Sequence, residues 1–419
     1  MELVIRFAKY SALASNRLTR ISVARSKVES AAILPAQEAE MRRIAEAESV
    51  HYSNKLENND LPLIDAQRAV GGELTPDARA KIELVNYVRA LRLIDELHAE
   101  RALSYTSDVL LLVHRTLTQG LGGSKPGFER RHEGAWRDGV AVVADRISGK
   151  VFHEGEPAEL VPGYMDWLCE WLSKNRRQRE TYPVPVLAGV AHWAVTWIHP
   201  FADGNGRMAR LLTGMILLRE DFMERRVFSL ERHYARNKDA YLAALRTVRR
   251  HDKDLGPWLE YFLDGLANEY ERIAERVETL TRISAHVRAG TELNVRQEQA
   301  LTELVMARRS RFTRAEYQQI ADIGLSAAKE DLAEMVQAGV LRINRRGPTS
   351  DYVFARHADG APRSTRWTDE RIQTELRKFL AGRDRWPKAE EWRAAGKKSL
   401  YDHASAHGGI KRWRQRLGY

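Results

Sequence analysis

The chain has 419 residues, 43% hydrophobic and 30% charged, with a net charge of +10. At roughly 100 to 200 residues per domain this length supports two to four domains with cores of their own, and the composition is globular rather than disordered. Its one cysteine, Cys169, excludes an intrachain disulfide and a multi-thiolate metal site and suits a reducing compartment.

Residues 1–6 lead into frequent Lys and Arg without an apolar core of signal-peptide length, and no stretch approaches the roughly 18 apolar residues of a membrane span, so a cytoplasmic protein without membrane contact is expected. From about 34 to 198 the apolar residues recur mostly at helical spacing, as in Ile82, Leu84, Val85, Val88, Leu91, Leu93 and Ile94, which predicts a predominantly helical region. Val140-Ala141-Val142-Val143 and Val151-Phe152 interrupt it as short β-prone runs around a turn-rich connection and predict a hairpin. After Thr181-Tyr182-Pro183, the near-continuous hydrophobicity of 184–197 predicts a helix buried on most sides.

That helix runs into His199-Pro200-Phe201-Ala202-Asp203-Gly204-Asn205-Gly206-Arg207-Met208-Ala209-Arg210. Pro200 disfavours helical dihedrals at His199, so the helix is expected to end there with the imidazole at the rim of a loop. Gly204 and Gly206 permit positive φ and close backbone approach, and a helix starting near Arg207 offers free N–H groups and its positive dipole end to an anion. Arg207 and Arg210, three apart, share a helix face and carry guanidinium forks shaped for phosphates, while Asp203 is a hard oxygen ligand suited to Mg²⁺. A base, a carboxylate, an anion nest and two arginines within twelve residues meet the needs of phosphoryl or nucleotidyl transfer, in a chain without a Walker A pattern.

A charged helical run covers 270–287. Helical patterns follow at 296–308, 313–321 and 326–338, with Thr313 and Ser326 as N-caps, and then strands at Val340-Leu341-Arg342-Ile343 and Tyr352-Val353-Phe354; this order predicts a winged helix-turn-helix. Residues 283–360 hold eleven Lys plus Arg against ten Asp plus Glu, which lacks the surplus of a dedicated DNA binder and leaves dimerisation or target docking as other roles. Past the linker Gly360-Ala361-Pro362-Arg363, residues 365–419 hold fourteen against seven, with Trp367, Trp386, Trp392 and Trp413 interleaved. This is the better polyanion candidate, its tryptophans serving either to stack on nucleic acid or to build the core of a very small domain.

The segment 199–210 resembles the Fic family motif His-x-Phe-x-Asp/Glu-Gly-Asn-Gly-Arg-x-x-Arg at every fixed position. The resemblance implies a mainly α fold: a Fic-type helical core with a β-hairpin flap, followed by the winged helix-turn-helix and a small helical C-terminal domain. The corresponding divisions are 1–98 for an N-terminal helical region, 99–282 for the core, 283–360 and 361–419. It further implies a protein adenylyltransferase that moves AMP from ATP to a Ser, Thr or Tyr hydroxyl of a target protein. His199 is then the base, Asp203 the Mg²⁺ ligand and Phe201 the anchor of the loop. Gly204, Asn205 and Gly206 hold the phosphates, Arg207 neutralises charge near the transferring phosphate, and Arg210 meets the γ-phosphate.

Gly134-Ala135-Trp136-Arg137 with the hairpin resembles the family's flap, which implies a target segment docked on 140–153 by strand addition. Arg236-Asn237-Lys238-Asp239-Ala240-Tyr241 resembles the helix start near the adenosine, with Asn237 and Tyr241 as contacts or as packing residues. Ser53-Asn54-Lys55-Leu56-Glu57-Asn58 fits the family's inhibitory pattern Ser/Thr-x-x-x-Glu-Gly/Asn. Ser53 and Glu57, four apart, face one way on a helix, and a Glu57 carboxylate aimed at Arg210 takes the place the γ-phosphate needs. In the winged helix, Ala327, Ala328 and Lys329 open the recognition helix, with Arg345 and Arg346 at the wing tip. The alternatives are transfer of another phosphate-containing group on the same fold, or a DNA-binding regulator with a Fic sensing module; DNA through the C-terminal modules and a second copy of the chain complete the partners to be considered.

Overall fold

The computed structural model describes residues 11–144, 151–223, 226–248, 254–288, 293–307, 309, 311–345, 351–355, 369–381, 383, 385–388, 391–392, 397, 400–401, 404–405 and 409–419. They fall into two compact units, Met1–Ser284 and Ala285–Tyr419. The fold is mainly helical with two small sheets. Among the described residues no helix is long and apolar enough to cross a membrane.

The first unit begins with α1 (Ala12–Ser30), capped by the Ser11 hydroxyl on Ala14 N–H, and α2 (Pro35–Leu56), whose first residue is the proline that a helix start tolerates. Helices α3 (Leu63–Val70), α4 (Arg79–Ala99) and α5 (Ser107–Thr118) follow, the last capped by Thr106. The expected hairpin forms from β1 (Val142–Ala144) and β2 (Val151–Glu154), paired antiparallel with Val142 opposite Glu154; its connection, 145–150, lies outside the described residues. After α6 (Val161–Asn175) comes α7 (Val184–Ile198), in which all residues but Thr196 are buried, as its apolar sequence predicts. It packs against α8 (Asn205–Arg219), which begins at Asn205 rather than near Arg207, because Gly204 already takes up the turn. Helices α9 (Glu231–Arg236), α10 (Lys238–Arg246) and α11 (Gly256–Arg288) close the unit, with Trp258, Phe262 and Leu266 of α11 in the core.

In the second unit, α12 (Val295–Met306) is capped by Asn294, with Gln297 bonding back to the Asn294 N–H. Next come β3 (Arg311–Thr313), α13 (Arg314–Ala321), α14 (Leu325–Gln337), β4 (Leu341–Arg345) and β5 (Asp351–Phe354), with sheet order β3-β5-β4. Thr313 caps α13 as expected, in a reciprocal box with Glu316. Ser326 does not cap α14: Asp322 ends α13 in the left-handed region (φ 50°), and the cap falls on Gly324. Asp331 of α14 is buried and pins three elements at once, accepting from Arg296 (2.7 Å), Gln297 (3.1 Å) and the Tyr317 hydroxyl (2.9 Å). Arg346, one of the two expected wing-tip cations, and the linker 360–363 lie outside the described residues.

The C-terminal segment folds around α15 (Asp369–Leu380) and α16 (Ile410–Leu417). Its core joins Ile372, Leu376, Leu380, Trp392, Leu400, Ala404 and Trp413, with Trp386 packed against it. Two of the four tryptophans, Trp392 and Trp413, are thus core material and Trp386 packs half-buried against them; Trp367 lies outside the described residues.

Candidate active site

The connection from α7 to α8 is the centre of the site. His199 ends α7 with φ 54° and ψ 57°, a left-handed conformation that costs a non-glycine residue about 1–2 kcal/mol. Arg137 holds it there from beneath the hairpin. This arginine, 4% exposed, donates from Nε to the His199 carbonyl (2.7 Å) and from Nη1 to Gly139 O (2.6 Å), reaches Glu156 O through Nη2, and its backbone N–H bonds Pro200 O (3.0 Å). The His199 Nδ1 lies 3.3 Å from the Thr196 carbonyl, which can only accept, so Nδ1 carries a proton, and in the neutral imidazole the lone pair falls on Nε2.

Phe201 is buried, stacked on His114 at 3.7 Å between ring centroids and tilted against Trp136 at 5.0 Å. The Asn205 side chain brackets its peptide, accepting from Phe201 N (2.9 Å) and donating to Phe201 O (2.7 Å). Asn205 therefore braces the loop with its side chain, which leaves its backbone N–H for an anion. His114 accepts from Gly134 N at Nδ1 (3.1 Å), so its proton is on Nε2 and is donated to Asp203 O (2.9 Å). Burial lowers this imidazole to about 4, against the raising effect of the Asp203 carbonyl, and keeps it neutral. Gly204 (φ 82°) turns the chain into α8, whose first N–H groups have no carbonyl of their own helix to bond.

Charge converges on this helix end. Asp203 receives Lys125 Nζ (2.5 Å), Arg79 Nη2 (3.2 Å) and Arg207 Nη2 (3.5 Å). Burial raises its pKa, but Arg207 and Lys125 outweigh it and the net shift is downward. Arg207, 2% exposed, also lies 3.6 Å from Glu83, yet its Nε and Nη1 are buried with no hydrogen bond among the described residues. Such orphaned donors are costly and mark a place for a further acceptor. Arg210, 3% exposed, donates from Nε to Ser53 Oγ (2.8 Å) and from Nη2 to both Ser53 O (3.0 Å) and Glu57 Oε1 (2.7 Å). The Glu57 carboxylate lies so close over Gly206 that a β-carbon there would collide with Oε1. Burial among these groups pushes the Glu57 carboxyl up, but the charges of Arg210 and Arg207 prevail and hold it below its ordinary range. Asn58, left-handed at φ 65°, ends this turn and accepts from Lys238 Nζ (2.9 Å).

The structure thus brings His199, Asp203, Gly204, Asn205, Gly206, Arg207 and Arg210 together with Ser53 and Glu57. Asn237 is used as the N-cap of α10, accepting from Ala240 N (3.0 Å). Tyr241 is buried, stacked on Tyr234 at 4.5 Å, with its hydroxyl on His192 Nε2 (2.8 Å), and burial pushes it up to about 12. Sequence reasoning missed Arg79, Glu83, His114 and Lys125 as site residues and did not foresee the Arg137 clamp. Among the described residues no group of three or more His, Cys, Asp or Glu side chains stands ready for a metal. The donor set fits Mg²⁺ only in the mode where one carboxylate, here Asp203, shares the ion with substrate phosphates.

The left-handed histidine, the braced phenylalanine and the glycine-turned helix start with two buried arginines all lie within residues 104–217, which the model of the Fic/DOC family matches. The chain carries a Fic/DOC family domain over those residues. It is 28% identical over 223 residues to the protein adenylyltransferase Fic of Nematostella vectensis, covering 51% of this chain and 47% of that one. It is 27% identical over 181 residues to protein adenylyltransferase fic-1 of Caenorhabditis elegans, covering 41% and 32%. The chain thus spans about half or less of the length of these relatives. A Fic family protein from Desulfovibrio desulfuricans shares the fold with TM-score 0.55 at 20% identity, over 84% of this chain and 99% of the other. A Fic domain containing signaling protein from Bacteroides thetaiotaomicron does so with TM-score 0.51 at 19% identity, over 65% and 97%.

Proposed function

We propose that this chain transfers the AMP moiety of ATP to a protein hydroxyl, in a site that Glu57 holds shut. The observation that carries the transfer is Arg207, a buried guanidinium with two unbonded donors at the start of α8, across the loop from the His199 base. The free N–H groups of Asn205, Gly206 and Arg207 cradle the phosphates, and Arg207 meets the charge that develops on them. His199 Nε2 takes the proton of the acceptor hydroxyl; the hydroxyl oxygen bonds to the α-phosphorus as the bond to the pyrophosphate oxygen breaks. Mg²⁺, shared between Asp203 and the phosphates, would supply further charge neutralisation.

The acceptor segment docks beside the hairpin, where Val140, Val142 and Val151 are 79%, 49% and 56% exposed, and adds a strand to it. Glu57 is the brake: the guanidinium of Arg210 that it occupies is the one the γ-phosphate requires. Relatives named protein adenylyltransferase support this reading of the chemistry. Incubation with α- and γ-labelled ATP, Mg²⁺ and lysate tests it, because nucleotidyl transfer leaves only the α-label on protein. Retained γ-label without α-label indicates phosphotransfer instead and sinks the proposal.

A further inference from the structure

The C-terminal segment carries a surface that the transfer reaction does not use. Among its described side chains from 372 onward, ten cations are exposed: Arg377, Lys378, Arg383, Arg385, Lys388, Lys397, Lys411, Arg412, Arg414 and Arg416. The acidic side chains described there, Glu375 and Glu391, are each taken by a cation, Lys378 (3.1 Å) and Arg385 (2.9 Å). Four of the ten cations stand on α16, Ile410–Leu417, where Trp413 is fully buried and Ile410 and Leu417 pack beside it. At 100° per residue, Arg412 and Arg416 lie on one side of the buried stripe and Lys411 and Arg414 on the other, with Gln415 opposite it. The Arg412 and Arg416 guanidiniums sit 5.5 Å from the Trp413 ring centroid, which fixes them before any ligand arrives.

We propose that this domain binds the phosphate backbone of double-helical nucleic acid, independently of sequence. Three observations select that partner. The cations that line a helix of about 12 Å suit a rigid, regularly spaced row of phosphates. Among the described residues Trp392 and Trp413 are buried at 1% and 0% exposure, and Phe379, Trp386, Tyr401 and Tyr419 are half-buried against the same core, so no aromatic ring stands fully exposed as the stacking platform that single strands need. No large apolar side chain of this domain is exposed among the described residues, so there is nothing to insert into a lipid surface. The winged helix is a poorer site: the exposed face of α14 offers Lys329 against Glu330 and Glu334.

The inference is independent of the transfer reading. It is tested with the full chain by fluorescence anisotropy on a duplex of roughly 20 bp, on its single strand and on phosphatidylserine vesicles, from about 50 to 200 mM salt. Four phosphate contacts predict a fall in affinity on the order of 100-fold over that range. Lys411→Gln with Arg414→Gln removes two contacts and reduces that fall to about 10-fold. Arg377→Gln with Lys378→Gln provides a second variant on α15, and unchanged unfolding temperatures show that both pairs fold. Tighter binding to duplex than to single strand or vesicles, with weakened salt dependence in either variant, supports the proposal. Absence of duplex binding at low salt, equal or better binding to single strands or vesicles, or unaltered salt dependence in both folded variants overturns it.

Discussion

Replacing Glu57 with glycine tests the brake directly. The substitution removes one charge-assisted hydrogen bond to Arg210 (2.7 Å) and the carboxylate over Gly206, and leaves both Ser53 contacts in place. Charge-assisted hydrogen bonds contribute about 1.5–3 kcal/mol. The Glu57 side chain is 37% exposed, so solvent screening argues for the lower part of that range. A closing free energy of about 2 kcal/mol leaves only about 3% of molecules open, and a chain without the carboxylate has no such closed state, so the open population rises roughly 30-fold. The assay is the initial rate of self-labelling with α-labelled ATP over a range of ATP concentrations. Glu57→Gly should label on the order of 30 times faster at low ATP, and the ratio should shrink as ATP rises, because carboxylate and γ-phosphate compete for one guanidinium. Wild-type labelling by a folded Glu57→Gly variant, or an enhancement independent of ATP, would refute the reasoning.

His199→Ala should lower labelling by about 10²–10⁴ without changing the unfolding temperature, and should abolish the gain seen in Glu57→Gly when combined with it. Arg137→Leu strips donors from the carbonyls of His199, Gly139 and Glu156, and thermal unfolding should show a loss of about 3 kcal/mol or more, partly recovered by Arg137→Lys. His114 has its folded pKa lowered from 6.5 to about 4, so the unfolded chain binds a proton first as pH falls. Stability linked to this group is complete above about pH 7 and declines toward pH 4, by on the order of 2 kcal/mol at pH 4.5. Denaturant unfolding at about pH 7 and pH 4.5 should show a decline smaller by about 2 kcal/mol in His114→Gln than in the wild type, the remainder coming from the other buried groups whose pKa values are lowered, among them His192 and His233.

The motif was legible because its parts are contiguous: a helix end fixed by proline, a glycine turn and a helix start fall within twelve residues. Local rules of dihedral preference and capping therefore act on the residues proposed to do the chemistry. Ser53 and Glu57 lie about 150 residues upstream, and only their match to a family pattern placed them against Arg210. Lys125, Arg79 and Glu83 leave no trace at sequence level, since tertiary folding alone brings them to Asp203 and Arg207. His114 reads as one more buried position on an amphipathic helix; tertiary folding alone gives its ring nitrogens partners, Asp203 O of the 199–205 loop for Nε2 and Gly134 N for Nδ1. Strand β3 has three residues, too few to display alternation, and its pairing with β5 defines it. The Ser326 cap failed because the turn after Asp322 is short and the helix starts before the serine is reached.

Gly206 lies directly under the carboxylate of the same chain, at the place where the proposed reaction seats a phosphate from solution. A tethered competitor has a fixed effective concentration that dilution of the protein does not change. In the proposed cycle the end of α2 therefore scales the nucleotide requirement: the half-saturating concentration rises by the inverse of the open fraction, at any protein concentration. A change in how firmly that end is held, for example at the Lys238–Asn58 contact, would alter this factor without touching a group that reacts.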